Sequence, residues 1–274
     1  MNEKTGEDIF LEHMPILSVW YKVIILYSAQ FLFFLLIMAI FWWTSSNNIY
    51  YAMFLQIIVS FIGTMPYRML TLRSYNIRVK YLKKYDKLAA QKLWFHYQSY
   101  TNPLLSSSLY VPILLKTDYF LPSFVSFQPH FLTDSLFPIY VALPLSIILI
   151  VFGFIIRKPS GGFGADVESY LYLLYPKKGK LITEGVYSYV RNPRYLGRGF
   201  VAIGFGVFAN NILAIIFGLI HSLAFCSLIP SENKELGKRF GNDFKDYKKK
   251  VPALFPRFGN WINFLKMVFS KDKT

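Results

Sequence analysis

The stretch "VIILYSAQFLFFLLIMAIFWW", Val23 to Trp43, contains no charged side chain. Roughly 20 apolar residues of α-helix cross a bilayer core of about 30 Å, and inside lipid only a helix or a closed barrel satisfies its own backbone. This run therefore commits the chain to a membrane-spanning helix. Trp42 and Trp43 end it with the amphipathic rings that favour the interface. "TSSNN" at 44–48 predicts a short polar turn, and a second span is expected from about Ile49 to Pro66. Leu136 to Ile156 predicts another. Pro103, Pro112, Pro122 and Pro129 predict broken helix over 103–135, with one crossing inside "PLLSSSLYVPILL".

Charge supports the same reading. Charged residues make up 16% of the chain, against about a quarter in soluble domains. The net charge is +15, which suits either nucleic acid or an anionic membrane surface. The apolar spans favour the membrane, and no nucleic-acid partner is expected. Cations gather in two places, Arg68 to Lys92 and Arg157 to Arg198, and the positive-inside rule puts both in the cytoplasm. Ile77, Tyr81, Tyr85 and Leu88 recur at helical spacing within the first, predicting an amphipathic surface helix. Cys226 alone excludes an intrachain disulfide, and His13, His96, His130 and His221 lack metal-ligand spacing, so no metal is expected. Glu3, Glu7, Asp8 and Glu12 argue against a cleavable signal peptide.

The expected fold is all-α: a polytopic integral membrane protein with about five to six hydrophobic helices. Residues 1–157 form an N-terminal transmembrane region with a basic cytoplasmic loop at 67–101. Residues 158–274 carry a helical hairpin at 196–230 and an amphipathic tail. Asn210 and Asn211 divide the hairpin, and Ala202 and Gly206 form a small-xxx-small pair that lets helix backbones approach. Leu236, Phe240, Phe244, Tyr247 and Val251 share one face of the tail. "GGFG" at 161–164 reads as a flexible link. The pattern leaves the oligomeric state open.

"EGVYSYVRNPRYLG" at 184–197 sets a polar cluster directly against the hairpin. Asn192 followed by Pro193 predicts a helix start, with the Asn side chain capping and Pro at the first position. A helix N-terminus receives anionic groups such as carboxylates. Tyr187 and Tyr195 offer aromatic faces, and Glu232 at the far end of the hairpin accepts from hydroxyls or an ammonium. The set suits a small zwitterionic ligand with an aromatic portion, although the same residue types also serve as interface anchors.

Gly185, Tyr187, Arg191, Pro193, Tyr195, Glu232, Leu236, Phe240, Gly241, Tyr247 and Pro252 fall in register with a family pattern. Over roughly residues 179–256 the chain resembles the membrane methyltransferases of the isoprenylcysteine carboxyl methyltransferase and phospholipid N-methyltransferase group. That resemblance implies S-adenosylmethionine as cofactor, bound by Lys180, Leu181, Ile182, Tyr187, Asn192, Pro193, Arg194, Tyr195 and Glu232. It assigns catalytic roles to Arg191, Tyr195 and Glu232. Asn192 stands where the family has His, and Asn233 replaces a second Glu. Glu235 is expected to pair with Arg239 on a surface helix. Leu228 occupies the place of the arginine that the isoprenylcysteine enzymes use for the substrate carboxylate. The expected acceptor is therefore a phospholipid amine or other uncharged lipid head, with Arg198 the substitute cation should the acceptor carry a carboxylate. NADPH-dependent sterol reductases share part of the pattern, and a non-catalytic lipid-binding protein is the remaining alternative.

Overall fold

The computed structural model describes residues 13–115, 131–158, 172–176 and 179–270. Among these every regular element is a helix, with no strand. The "GGFG" segment and the acidic N-terminal residues lie outside the described residues.

Helices α1 (Trp20–Asn47) and α2 (Ile49–Leu72) are joined by Asn48 alone. The expected 44–48 turn is thus shorter than its composition suggests. Thr44, Ser46 and Asn47 return their side chains to the carbonyls of Ile40, Trp42 and Trp43, which keeps polar residues inside the last helical turn. Asn48 then starts α2 by accepting from the Tyr50 N–H at 2.8 Å. The second span also runs on through Pro66 to Leu72 instead of stopping at the proline.

Helix α3 (Ser74–Tyr85) buries Ile77 and Tyr81 against Leu93, Trp94, Leu173 and Leu174, with Tyr85 partly buried beside them. Leu88 departs from the expected face: it sits in a separate single turn and is 40% exposed. Helix α4 (Ala89–Tyr110) passes straight through Pro103, against the expectation of a break. A proline inside a membrane helix is tolerated where neighbouring helices support it, and α4 packs against both α1 and α2. On either side of the ring Thr101 Oγ1 donates back to the Tyr97 carbonyl at 2.5 Å and Ser107 Oγ to the Pro103 carbonyl at 2.8 Å. The chain tightens into a 3-10 turn only at Val111–Leu115, around Pro112.

Helix α5 (Ile139–Arg157) packs against α6 (Pro193–Ala209), which packs in turn on α7 (Ile212–Cys226). Glycines set both contacts. A Cβ on Gly153 would stand 2.5 Å from the Gly197 carbonyl, and one on Gly218 would stand 2.5 Å from the Ala202 carbonyl. Gly206 abuts Ile215 and Ala214, so the Ala202–Gly206 face is a helix contact as the spacing predicts. Asn210 turns the hairpin in the left-handed conformation at φ 62°. Asn211 caps α7 through the Ala214 N–H and donates to the Leu115 carbonyl.

These contacts define the two ends of the bundle. Asn48, Leu115, residues 132–137 and Asn210–Asn211 gather at one. The two basic stretches gather at the other, where Arg68 donates to Ser227 and Arg78 to the Leu173 carbonyl. Among the described residues four helical stretches are long and apolar enough to cross a membrane: 20–47, 49–72, 139–157 and 212–250, the apolar part of the last being α7. Leu32, Phe54 and Ile148 on these helices are each more than 60% exposed, as lipid-facing residues are. Between them Gln56, Ser60, Ser108 and His221 join α2, α4 and α7 through buried hydrogen bonds.

Helix α8 (Ile229–Lys250) bends at Gly241, whose φ of 56° suits glycine. Phe244, Tyr247 and Val251 bury against Leu181, Leu236 and Phe240, the apolar face read from the sequence. Helix α9 (Trp261–Phe269) lies beyond the amphipathic face read in the tail, which ends at Val251. Its Phe264 and Val268 bury against Ile156, Val186, Val190 and Leu196.

Candidate functional site

Two polar segments flank the apolar hairpin, and the fold brings them together. Tyr195 lies in the first turn of α6 and Glu232 in the first turn of α8; the Tyr195 hydroxyl donates to Glu232 Oε1. Arg194 lies close enough to act electrostatically on Glu232. Arg198, one turn further into α6, places its guanidinium 4.2 Å from the Phe225 ring centroid. Its Nε is buried without a hydrogen-bond partner in the protein. Phe225 and Leu228, both buried, form the apolar wall here with Leu105, Tyr67 and Tyr195.

Glu232 stands beyond the apolar hairpin, where α8 turns polar. Burial pushes its carboxyl up to about 7, against the opposing pull of the Tyr195 hydroxyl and the Arg194 charge. It therefore changes charge near neutral pH.

Arg191 and Asn192 do different work. Arg191 Nε donates to the Val251 carbonyl at 3.0 Å, and a terminal nitrogen donates to Asn233 Oδ1 at 2.6 Å. Burial lowers the Arg191 pKa, with the Tyr247 hydroxyl opposing. The N–H and side-chain amide of Asn192 both donate to the Ala253 carbonyl, at 3.0 and 2.8 Å. Asn192 is the residue before α6, but it does not cap it as expected: the tail offers its amide a carbonyl across the loop. Pro193 is buried at the first helical position, as read.

Leu181 packs along α8, and the Tyr187 carbonyl accepts from the Tyr247 hydroxyl at 2.7 Å. Lys180 and Ile182 are exposed. The structure therefore brings Arg194, Tyr195, Glu232 and Arg198 together. Arg191 and Asn192 clamp residues 251–253, and Leu181 and Tyr187 line the strap over α8. Glu235 pairs with Arg239 at 3.4 Å as expected, yet it is only 9% exposed and does not sit on an open surface. Sequence reading treated Arg157 as a topology signal only, but it acts electrostatically with Arg194 and Arg198. Its available signal was Gly153 one turn earlier, where α5 meets α6. Among the described residues no group of three metal-ligating side chains occurs.

Fold and site together define a polytopic helical membrane protein with a carboxylate, a tyrosine and arginines at one end of its bundle. Residues 139–243 match the phospholipid methyltransferase family. The chain is 30% identical over 132 residues to a protein-S-isoprenylcysteine O-methyltransferase of Schizosaccharomyces pombe, covering 47% of this chain and 54% of that protein. It is 28% identical over 150 residues to a probable protein-S-isoprenylcysteine O-methyltransferase of Oryza sativa, covering 53% and 78%. A nickel-cobalt-cadmium resistance protein of Alcaligenes xylosoxydans is 36% identical over 88 residues, covering 32% and 41%. The match thus spans about half the length of the first two relatives by similarity. No solved structure matches the chain. The matched region is thus similar to the phospholipid methyltransferase family and to isoprenylcysteine O-methyltransferases.

Proposed function

We propose that this protein transfers a methyl group from S-adenosylmethionine to a lipophilic, membrane-embedded acceptor, on the cytoplasmic side of the membrane. The observation that carries this reading is the meeting of Tyr195, Glu232 and Arg194 where the apolar hairpin ends and the polar tail begins. The donor set fits an amino-acid zwitterion. Glu232 offers a carboxylate to an ammonium, and Arg194 offers a guanidinium to a carboxylate at the start of a helix that carries no side-chain cap. When bound, the donor supplies an electrophilic methyl carbon on a sulfonium, which an in-line nucleophile takes.

Such a displacement is accelerated chiefly by positioning and by exclusion of water. Tyr195 holds the Glu232 carboxylate in one orientation. Arg191 and Asn192 fix the 251–253 segment, and through Tyr247 and Tyr187 the loop is tied to α8. Phe225, Leu228 and Leu105 keep the acceptor side apolar. The polar cluster abuts an apolar wall because two reactants of opposite polarity must meet there.

For the acceptor we favour a phospholipid amine or other uncharged head, since Leu228 is buried at 2% exposure where a substrate-carboxylate arginine would stand. Two observations favour a second reading, a prenylcysteine-type carboxylate: the buried, unpartnered Nε of Arg198, and the printed names of the S. pombe and rice relatives. Labelled S-adenosylmethionine supplied with phosphatidylethanolamine or with acetyl-farnesylcysteine separates them. Labelled phospholipid supports the first reading. A base-labile methyl ester, abolished by Arg198→Ala, selects the second. No label on either acceptor overturns methyl transfer to both classes.

A further inference from the structure

Where α2 ends and α3 begins, the corner closes over α8 and leaves a cavity of about 560 Å³. Arg73 and Arg78 line it from the corner, Lys238 and Arg239 from α8, against a single carboxylate, Glu235. Arg239 already answers Glu235 at 3.4 Å, and the Arg239 Nε is buried with no partner in the protein. Arg78 and Lys238 also act electrostatically on Glu235, so one carboxylate answers several cations and an anion entering the cavity meets a net positive charge. Helix α3 starts at this point with neither a side-chain cap nor an acidic residue in its first turn, so its positive end is uncompensated as well.

The level of the cavity identifies the anion. Helix α2 has 24 residues, and at about 1.5 Å per residue it crosses a hydrocarbon core of roughly 30 Å and emerges among the lipid headgroups. The cavity begins at its last residue, Leu72. Leu72 and Tyr75, both lining it, are 47% and 70% exposed, the apolar and aromatic surface that suits the acyl-chain and glycerol level at the end of a span. A free phosphate has no use for that apolar margin. The volume lies within the range of small-molecule sites, roughly 300–1,000 Å³.

We propose that this cavity is a phospholipid-headgroup site that takes the phosphate of a glycerophospholipid. Arg73, Arg78 and Lys238 donate charge-assisted hydrogen bonds to the phosphate oxygens, and the lipid tail leaves past Leu72 and Tyr75. The site lies about one turn of α8 away from Glu232 and does not depend on methyl transfer.

Native mass spectrometry of the full chain released from micelles tests it, with dioleoylphosphatidylglycerol as the probe and dioleoylglycerol as the phosphate-free control. The wild type is expected to retain the phospholipid and not the glyceride. Arg73→Gln with Lys238→Gln should lower the retained phospholipid by about a hundredfold, since each charged hydrogen bond contributes about tenfold. Both residues are exposed, so melting temperature should not change. Arg73→Lys, which keeps the charge, should retain the lipid. Equal retention of dioleoylglycerol, or an unchanged adduct in the double variant, overturns the site. Displacement of the lipid by millimolar inorganic phosphate at matched ionic strength overturns the lipid assignment.

Discussion

The Tyr195 hydroxyl donates to Glu232 Oε1 across 37 residues of sequence, most of them an apolar hairpin. The hairpin returns to the end of the bundle it left, because Asn210 and Asn211 reverse it sharply and the glycine contacts of α6 hold its arms together. The pair is therefore a consequence of apolar packing, although both its members are polar.

The carboxyl of Glu232 is raised from its ordinary value to about 7, so it carries its charge above that pH and loses it below. An ammonium partner is held by the charged form only. Affinity for S-adenosylhomocysteine, measured by calorimetry, should therefore rise about tenfold from pH 6 to pH 8. Glu232→Gln should flatten that profile and weaken binding by roughly ten- to a hundredfold at pH 8. A profile that stays steep in Glu232→Gln would assign the titration to another group.

Arg191 holds the tail through Val251 and Asn233, and its role is to position the 251–253 segment. Lysine lacks the planar fork that reaches both acceptors. Arg191→Lys should lower stability by about 1.5–3 kcal/mol, and Asn233→Ala by less. The double variant should cost little more than Arg191→Lys alone, because both remove the same bond. Fully additive losses in thermal denaturation would show that the two residues act separately.

Gly218 and Gly237 give opposite expectations for the same substitution. A Cβ on Gly218 would stand 2.5 Å from the Ala202 carbonyl oxygen, so Gly218→Ala must push α6 and α7 apart. Overpacking of this kind costs about 1–3 kcal/mol. Gly237 lies within α8, and its nearest neighbour is Phe244 at an ordinary 3.9 Å. Gly237→Ala should add about 0.5–1 kcal/mol through the lower entropy of the unfolded chain. Melting temperatures in micelles should move in opposite directions; a rise for Gly218→Ala would contradict the close approach of the arms.

The spans and the hairpin were legible in the sequence because uninterrupted apolar runs and an Asn-Asn pair leave few alternatives in lipid. The amphipathic face of α8 was legible from its period. Proline was misleading: Pro66 and Pro103 sit inside helices that are packed against their neighbours, and sequence spacing does not show those neighbours. Motif register singled out Tyr195 and Glu232, which the fold brings into contact, whereas the Asn-Pro pair predicted a capping role for Asn192 that the Ala253 carbonyl takes away. Glu235 was misplaced for a related reason, because helical spacing shows its partner Arg239 and not the α3 corner that covers both. Helix α9 was missed because it is only nine residues long and the apolar period read in the tail ends at Val251, short of Phe264 and Val268.

The last expectation concerns which end of the bundle faces which compartment. Arg68 to Lys92, the start of α6 and all of α8 share one end, and the Asn48 and Asn210 turns share the other. Cations near span ends are retained in the cytoplasm, so the end carrying Glu232 should face it. Ser46 and Lys249 are both exposed and lie at opposite ends. With the only cysteine replaced (Cys226→Ala), Ser46→Cys should react with a membrane-impermeant maleimide added outside intact cells. Lys249→Cys should react only after the cells are opened. Labelling of both from outside would break the two-ended arrangement, and labelling of Lys249→Cys alone would invert it, placing the polar site on the far side from a cytoplasmic methyl donor.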